Sequence, residues 1–383
     1  MRQIKGILYT EAFQFEAGIL TMEDDRITAV EPCREEELTE EQREQYILPG
    51  LVDIHMHGCS GYDFCDGMVT AMRAMASYEL THGITTICPA TMTLSEEILT
   101  NICAACASAV ETEVLREEIP LGDIVRGIYL EGPFISSEKK GAQNPTYIRK
   151  PDREMLMRLQ RAAKGLIRIV AIAPETEGAI DCIRNEKNNI RFSIAHTCAD
   201  YETAKAAIEA GAHHVTHLYN AMPPFSHREP GVVGAAAEAD DVTVELICDG
   251  HHIHPSVVRN TFRLFGAERI VLISDSMMAT GMPDGEYRLG GLPVYMQGGL
   301  AALADGTLAG SVVNLFDCMR TAVRMGVPRE HAVRAATFNP AAAIGIDGVC
   351  GSLRVGKCAD ILVVNRDFSL REVIKSGVTA IKQ

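Results

Sequence analysis

Eight short runs of β-branched and aliphatic residues, separated by helical stretches between Gly50 and about Asp275, restrict the possible folds more than any other feature. The runs are Leu51 to His57, Ile84 to Pro89, Val125 to Glu131, Ile167 to Ala173, Arg191 to His196, His213 to His217, Val242 to Cys248 and Ile270 to Asp275. Such alternation is the pattern of a parallel sheet covered by helices. Eight units imply closure into a (β/α)8 TIM-like barrel. Asp200 to Ala210 illustrates the helical stretches, with an Asp able to cap its first turn and Gly211 to end it. Several runs end on chemically active residues: His55 and His57, Glu131, His196, His217, Asp249 and Asp275. In a barrel, catalytic groups gather where the strands finish, so these ends mark a candidate site.

The flanks read differently. Strand signals at Glu16 to Leu20 and Ile27 to Val30 turn through Asp24-Asp25, and Gly-punctuated strands recur at Gly351 to Gly356 and Ala359 to Val364. Each flank is too small to fold alone, so the two are expected to pair into one satellite. The expected division is a small β-sandwich domain from 1–48 plus 350–383 and a barrel from 49–349.

The formal net charge of -15 argues against a nucleic-acid partner, which would need a clustered basic surface. No apolar run approaches the roughly 18 residues that span a bilayer, and Met1-Arg2-Gln3-Ile4 opens no signal-peptide core. A cytoplasmic protein with no membrane partner is expected. The twelve cysteines sit mostly in apolar segments, as buried reduced thiols would. Cys103 and Cys106 lack a second pair to complete a zinc site and read as core packing.

In Asp53-Ile54-His55-Met56-His57 the two imidazoles are spaced to fall on one side of a strand. Glu131, His196 and His217 each end a strand further on. Together they offer imidazole nitrogens and carboxylate oxygens suited to zinc, iron or manganese, with positions left for water. Glu131 can bridge two cations. The bland alternative is a set of satisfied structural residues, which is reasonable for each one singly and poor for all of them jointly. Asp275, closing the eighth strand, suits the acid–base work a hydrolytic reaction needs, first taking a proton from water and then giving one to a leaving amine. Arg228 offers a planar fork of donors for a phosphate and His252 a further donor, unless Arg228 merely pairs with Glu229. His82 reads as a helix end before Gly83. His213, His227 and His331 receive no role, while His251 and His254 flank His252 and either could take its place in substrate contact.

The chain resembles the N-acetylglucosamine-6-phosphate deacetylases of the amidohydrolase superfamily along essentially its whole length. The resemblance is carried by Pro49 to Gly58, Leu130-Glu131-Gly132-Pro133-Phe134, Thr216 to Met222, Arg228-Glu229-Pro230-Gly231, Asp249-Gly250-His251-His252 and Gly306 to Ser311. It implies that Glu131, His196 and His217 hold the principal metal and that Asp275 shuttles the proton. It further implies substrate contacts from Asn220 and Ala221, phosphate contacts from Arg228 and His252, and an acetyl pocket lined by Leu308, Ala309 and Gly310. Some phosphate contacts cross a dimer interface in the family, so a homodimer is implied. Members with Gln and Asn at the positions of His55 and His57 bind one metal and carry a histidine, which polarises the acetyl carbonyl, where this chain has Gln143. The resemblance thus implies a substrate contact from Gln143 with a weaker polarising group. The pair of histidines therefore implies a second cation as the electrophile, giving two ions per subunit.

The expected function is hydrolytic removal of acetate from N-acetyl-D-glucosamine 6-phosphate in amino-sugar catabolism. Water made nucleophilic by the metal attacks, with Asp275 as base and then acid. Another acetamido sugar phosphate, such as N-acetylgalactosamine 6-phosphate, is the alternative substrate. A non-catalytic metal-binding scaffold is the alternative from a different class.

Overall fold

The computed structural model describes residues 1–115 and 119–382. All eight expected barrel strands are present, as Leu51–Met56, Ile84–Thr91, Ile128–Leu130, Ile167–Ile172, Arg191–Ile194, His214–Val215, Thr243–Ile247 and Ile270–Ile273. They pair in parallel in chain order. The Asp275 N–H donates to the His55 carbonyl at 2.9 Å, joining the end of the eighth strand to the first. A helix follows each strand, from Val69–Thr81 after the first to Leu315–Arg324 after the eighth. Helix Tyr201–Ala210 starts and stops as its sequence dictates: the Asp200 side chain accepts from the Thr203 N–H, and Gly211 ends it at φ 127°. His82 closes helix Val69–Thr81, its Nδ1 donating to the Tyr78 carbonyl at 2.7 Å.

Alternation sorts the strand side chains between two cores. Val52, Ile54, Tyr129, Ile169, Ala171, Ala195, Ile247, Val271 and Ile273 fill the barrel interior, where Ala341, Ala343, Ile344, Ile346 and Cys350 join them. Val170, Ile172, Phe192, Ile194, Leu246 and Leu272 belong to the larger core under the helices. The same parity turns Glu131, Glu245 and Asp275 inward. Cys103 and Cys106 are buried in helix Glu96–Thr112, as core packing requires.

The two chain ends meet in one seven-stranded sheet, in the order Val378–Lys382, Leu370–Lys375, Ile361–Asn365, Gln45–Pro49, Arg2–Tyr9, Phe15–Glu23, Arg26–Pro32. Leu8, Ile47, Ile361 and Ile374 gather on one face around Leu353 and Ala359. Ile7, Leu48, Leu362 and Val373 lie in the barrel-side core. A buried Lys375–Asp360 ion pair at 2.7 Å ties this satellite together. A three-stranded antiparallel sheet after the eighth barrel strand, Gly285–Leu289, Leu292–Gln297 and Leu300–Ala302, was not expected from the sequence. Its Gly290-Gly291 and Gly298-Gly299 turns, all at positive φ, mark the two hairpin bends.

Gly132 shows how closely the third strand end is fitted. Its φ is +88°, and a Cβ there would lie 2.0 Å from the Thr93 Oγ1. Gly132→Ala is expected to destabilise the fold by roughly 2–4 kcal/mol, since a strained φ and a steric clash add. Chemical denaturation of the purified variant checks this, and an unchanged midpoint would refute it.

Candidate metal centre and cavity

The strand ends converge on a cavity of about 430 Å³ lined by His57, Glu131, His196, His217, Asn220, His252 and Asp275, among others. Parity alone does not bring the four imidazoles there. Ala195 and Thr216 face the interior, so strict alternation would turn His196 and His217 towards the helices. Left-handed backbone at His196 (φ 43°) and His217 (φ 27°) swings both rings back into the mouth. Val52 and Ile54 likewise occupy inward positions, and the pairing register slips between Asp53 and Met56, where His55 and His57 turn in. Asp275 adds a further left-handed residue at φ 50°. Backbone strain of this kind persists only where surrounding structure holds it, and it clusters at functional sites.

Glu131 is the hub. Its Oε1 lies 3.0 Å from His196 Nε2, 3.1 Å from His217 Nε2 and 3.5 Å from His55 Nε2. Its Oε2 lies 3.2 Å from His57 Nε2 and accepts from Gln143 Nε2 at 2.6 Å. Two triads able to hold an ion share this residue, one of His55, His57 and Glu131 and one of Glu131, His196 and His217, all buried. Asp275 Oδ1 stands 3.3 Å from His57 Nε2 at the rim of the first.

The donor set fits a cation. His55 Nδ1 faces a Glu245 carboxylate oxygen at 2.9 Å and His196 Nδ1 faces the Lys139 carbonyl at 2.8 Å. Both partners only accept, so both Nδ1 atoms carry protons and leave the Nε2 lone pairs aimed at Glu131. His55 Nε2 is buried without a hydrogen-bond partner, and the Nε2 atoms of His196 and His217 face each other at 3.2 Å. Lone pairs and a carboxylate so arranged repel unless protons or a cation lie between them.

Where no cation is bound, protons do that work. Burial acts to lower the His57 imidazole, but hydrogen bonds and charge from Asp275 and Glu131 prevail and raise it to about 10. Burial acts to raise Glu131 and Asp275, yet their histidine neighbours hold both carboxyls below the ordinary carboxylate value. A raised imidazole stabilises the fold fully below its unfolded value of 6.5, and that contribution is lost as pH rises through about 10. A bound cation replaces the proton. Metal-stripped protein is therefore expected to lose thermal stability relative to metal-loaded protein as pH climbs from 6.5 towards 10. Parallel melting profiles across that window would contradict this.

The remaining expected residues fall into two groups. Asn220, Ala221, His252, Leu308 and Gly310 line the cavity together with Gln143, and Met92, Leu289 and Leu308 give it an apolar wall. Gln143 is committed elsewhere: besides its bond to Glu131, its Oε1 accepts from the Thr93 N–H at 2.7 Å, so it holds the hub in place. His252 Nδ1 pairs with Asp249 Oδ2 at 2.7 Å; burial opposes the charge, but this partner raises the imidazole. Two of the expected residues lie off this cavity in the single chain. Ala309 packs in a core with Met277, Leu289 and Ala301, while Leu308 and Gly310 on either side of it line the cavity. Arg228 does not line the cavity of its own chain: it is exposed at the tip of a turn closed by the Ser226 N–H to the Glu229 carbonyl at 3.2 Å. The sequence reading missed Lys139 and Lys140, two cations at the cavity wall, and Glu245 beneath it. A lone acid within the apolar run Val242 to Cys248 was the available signal for Glu245.

Residues 46–380 match the amidohydrolase family, and the chain belongs to it. It is a metal-dependent amide hydrolase with histidine and glutamate clusters able to bind metal. It is 37% identical over 381 residues to the N-acetylglucosamine-6-phosphate deacetylase of Bacillus subtilis (strain 168), covering 98% of this chain and 96% of that one. It is 36% identical to the N-acetylgalactosamine-6-phosphate deacetylase of Escherichia coli O157:H7, covering 97% of each. Its fold matches that of N-acetyl-D-glucosamine-6-phosphate deacetylase from Mycobacterium smegmatis in complex with N-acetyl-D-glucosamine-6-phosphate, with a TM-score of 0.91, 34% identity and 99% coverage of both chains.

Proposed function

We propose that the chain hydrolyses the acetamide of N-acetylglucosamine 6-phosphate, releasing acetate and glucosamine 6-phosphate in amino-sugar breakdown. The observation that carries this reading is the pair of buried triads sharing Glu131 at the floor of a cavity with Asp275 at its rim. His55, His57 and Glu131 would hold one divalent ion, and Glu131, His196 and His217 the other; zinc, iron and manganese all suit these ligands. A cation there supplies Lewis acidity and makes water acidic enough to be a nucleophile near neutral pH.

The chain's own groups do the rest. Asp275 takes a proton from the attacking water and passes it to the departing sugar nitrogen. The wall of Met92, Leu289 and Leu308 suits the acetyl methyl group. Asn220 and the Ala221 backbone supply polar contacts to the sugar. His252, its imidazole raised by Asp249, meets the phosphate. In a homodimer, the exposed Arg228 of the partner subunit supplies a second phosphate cation, which accounts for its absence from its own cavity. A cytoplasmic setting suits twelve cysteines that all remain thiols. No helix among the described residues is long and apolar enough to cross a membrane.

The Escherichia coli relative makes the galactose epimer a specific second reading. Initial rates of amine release from both 6-phosphates, with metal-loaded enzyme, separate the two. The first reading expects the higher kcat/KM for the glucosamine derivative. A preference for the galactosamine derivative overturns the epimer assignment, and inertness towards both overturns the reaction.

A further inference from the structure

We infer that Glu245 is a positioning residue that fixes the ring of His55 and ties the two cation sites together, an inference resting on the metal-dependent reading above. Glu245 stands mid-strand in Thr243–Ile247 and is fully enclosed. Its Oε2 accepts from His55 Nδ1 at 2.9 Å and from the backbone N–H of His217 at 3.0 Å. Its Oε1 accepts from His214 Nε2 at 3.0 Å, and His214 Nδ1 in turn takes the Thr243 hydroxyl at 2.6 Å. One carboxylate thus joins barrel strands one, six and seven. It also touches one residue from each triad, His55 from one and His217 from the other.

The chemistry of each contact is directional. A carboxylate only accepts, so His55 keeps its proton on Nδ1 and presents a bare Nε2 towards Glu131. At His217 the contact is to the backbone, next to the left-handed turn that swings this ring into the cavity. His214, whose imidazole burial lowers, occupies the other oxygen and keeps the carboxylate from rotating away. Val52, Ile54 and Ile247 of the barrel interior are apolar, and none of them needs a buried charge for packing. Burying a carboxylate without a Lys or Arg partner is costly, and orienting a ligand offsets that cost.

The two sites should therefore depend on Glu245 unequally. The His55 site relies on it for the ring tautomer; the His196–His217 site feels it only through the backbone. Glu245→Leu removes both acceptor oxygens at similar volume. Glu245→Gln can turn its amide oxygen to His55 and its N–H groups to His214, whose imidazole can adopt the other tautomer. Stepwise zinc titration of the metal-stripped protein against a chromophoric chelator gives the stoichiometry and both affinities. Wild type is expected to bind two ions. Glu245→Leu should bind the weaker one about 10- to 100-fold less tightly, with kcat reduced and KM on N-acetylglucosamine 6-phosphate within about twofold, and Glu245→Gln should recover most of that loss. Two sites of wild-type affinity in Glu245→Leu overturn the inference and leave the metal reading standing; uptake of fewer than two ions by wild type overturns the two-ion reading itself. Should Glu245→Leu not fold, long-range ¹⁵N NMR of the zinc-loaded wild type decides, with His55→Asn providing the assignment. His55 protonated on Nδ1 supports the inference, and protonation on Nε2 overturns it.

Discussion

Asp275→Asn is expected to lower kcat by about a hundredfold or more, the usual cost of losing a general acid–base, while metal content stays at the wild-type level. Asp275 belongs to neither triad, so its carboxamide leaves the ion ligands untouched. The backbone is pinned from both sides: its N–H donates to the His55 carbonyl at 2.9 Å, and its carbonyl accepts from the Ser311 N–H at 2.7 Å. An isosteric amide therefore keeps the backbone geometry while losing the ability to carry a proton and the charge that faces His57. KM for the sugar phosphate should change by no more than a few-fold. Near-normal turnover in this variant would remove Asp275 from the mechanism.

Glu131→Ala should have the larger effect. Both triads share this residue, and its two oxygens face all four imidazoles. Removing it empties both sites of their carboxylate and leaves lone pairs facing one another. A bound cation contributes several kcal/mol to the transition state. At about 1.4 kcal/mol per decade, its loss lowers kcat/KM roughly a thousandfold or more. Retention of both ions by Glu131→Ala, measured by elemental analysis after dialysis, would show that the ligand assignment is wrong.

The barrel was legible because its strands are short runs rich in β-branched and aliphatic residues, while its helices are bounded by capping residues such as Asp200 and Gly211. The site was legible for a simpler reason: buried strands rarely end on His, Glu or Asp unless something holds them. Side-chain direction was not legible in the same way. His196 and His217 reach the cavity by left-handed backbone, and His55 and His57 by a slip in register, so period-two reasoning reached the right side of the strand by a route the chain does not take. Glu245 escaped because attention to strand ends passes over a residue in mid-strand, where only the full set of long-range contacts reveals its three partners. Arg228 was read from its donor fork and Ala309 from a resemblance, and neither says which subunit's cavity a loop faces or which of two successive side chains turns inward.

Anomalous diffraction from crystals of protein purified without added metal tests the central claim most directly. Two peaks are expected near Glu131, one within roughly 2.0–2.2 Å of the His196 and His217 nitrogens and one at similar reach of His55 and His57. A map with no peak in bonding range of these residues, or with the four imidazoles turned to separate partners, would contradict it.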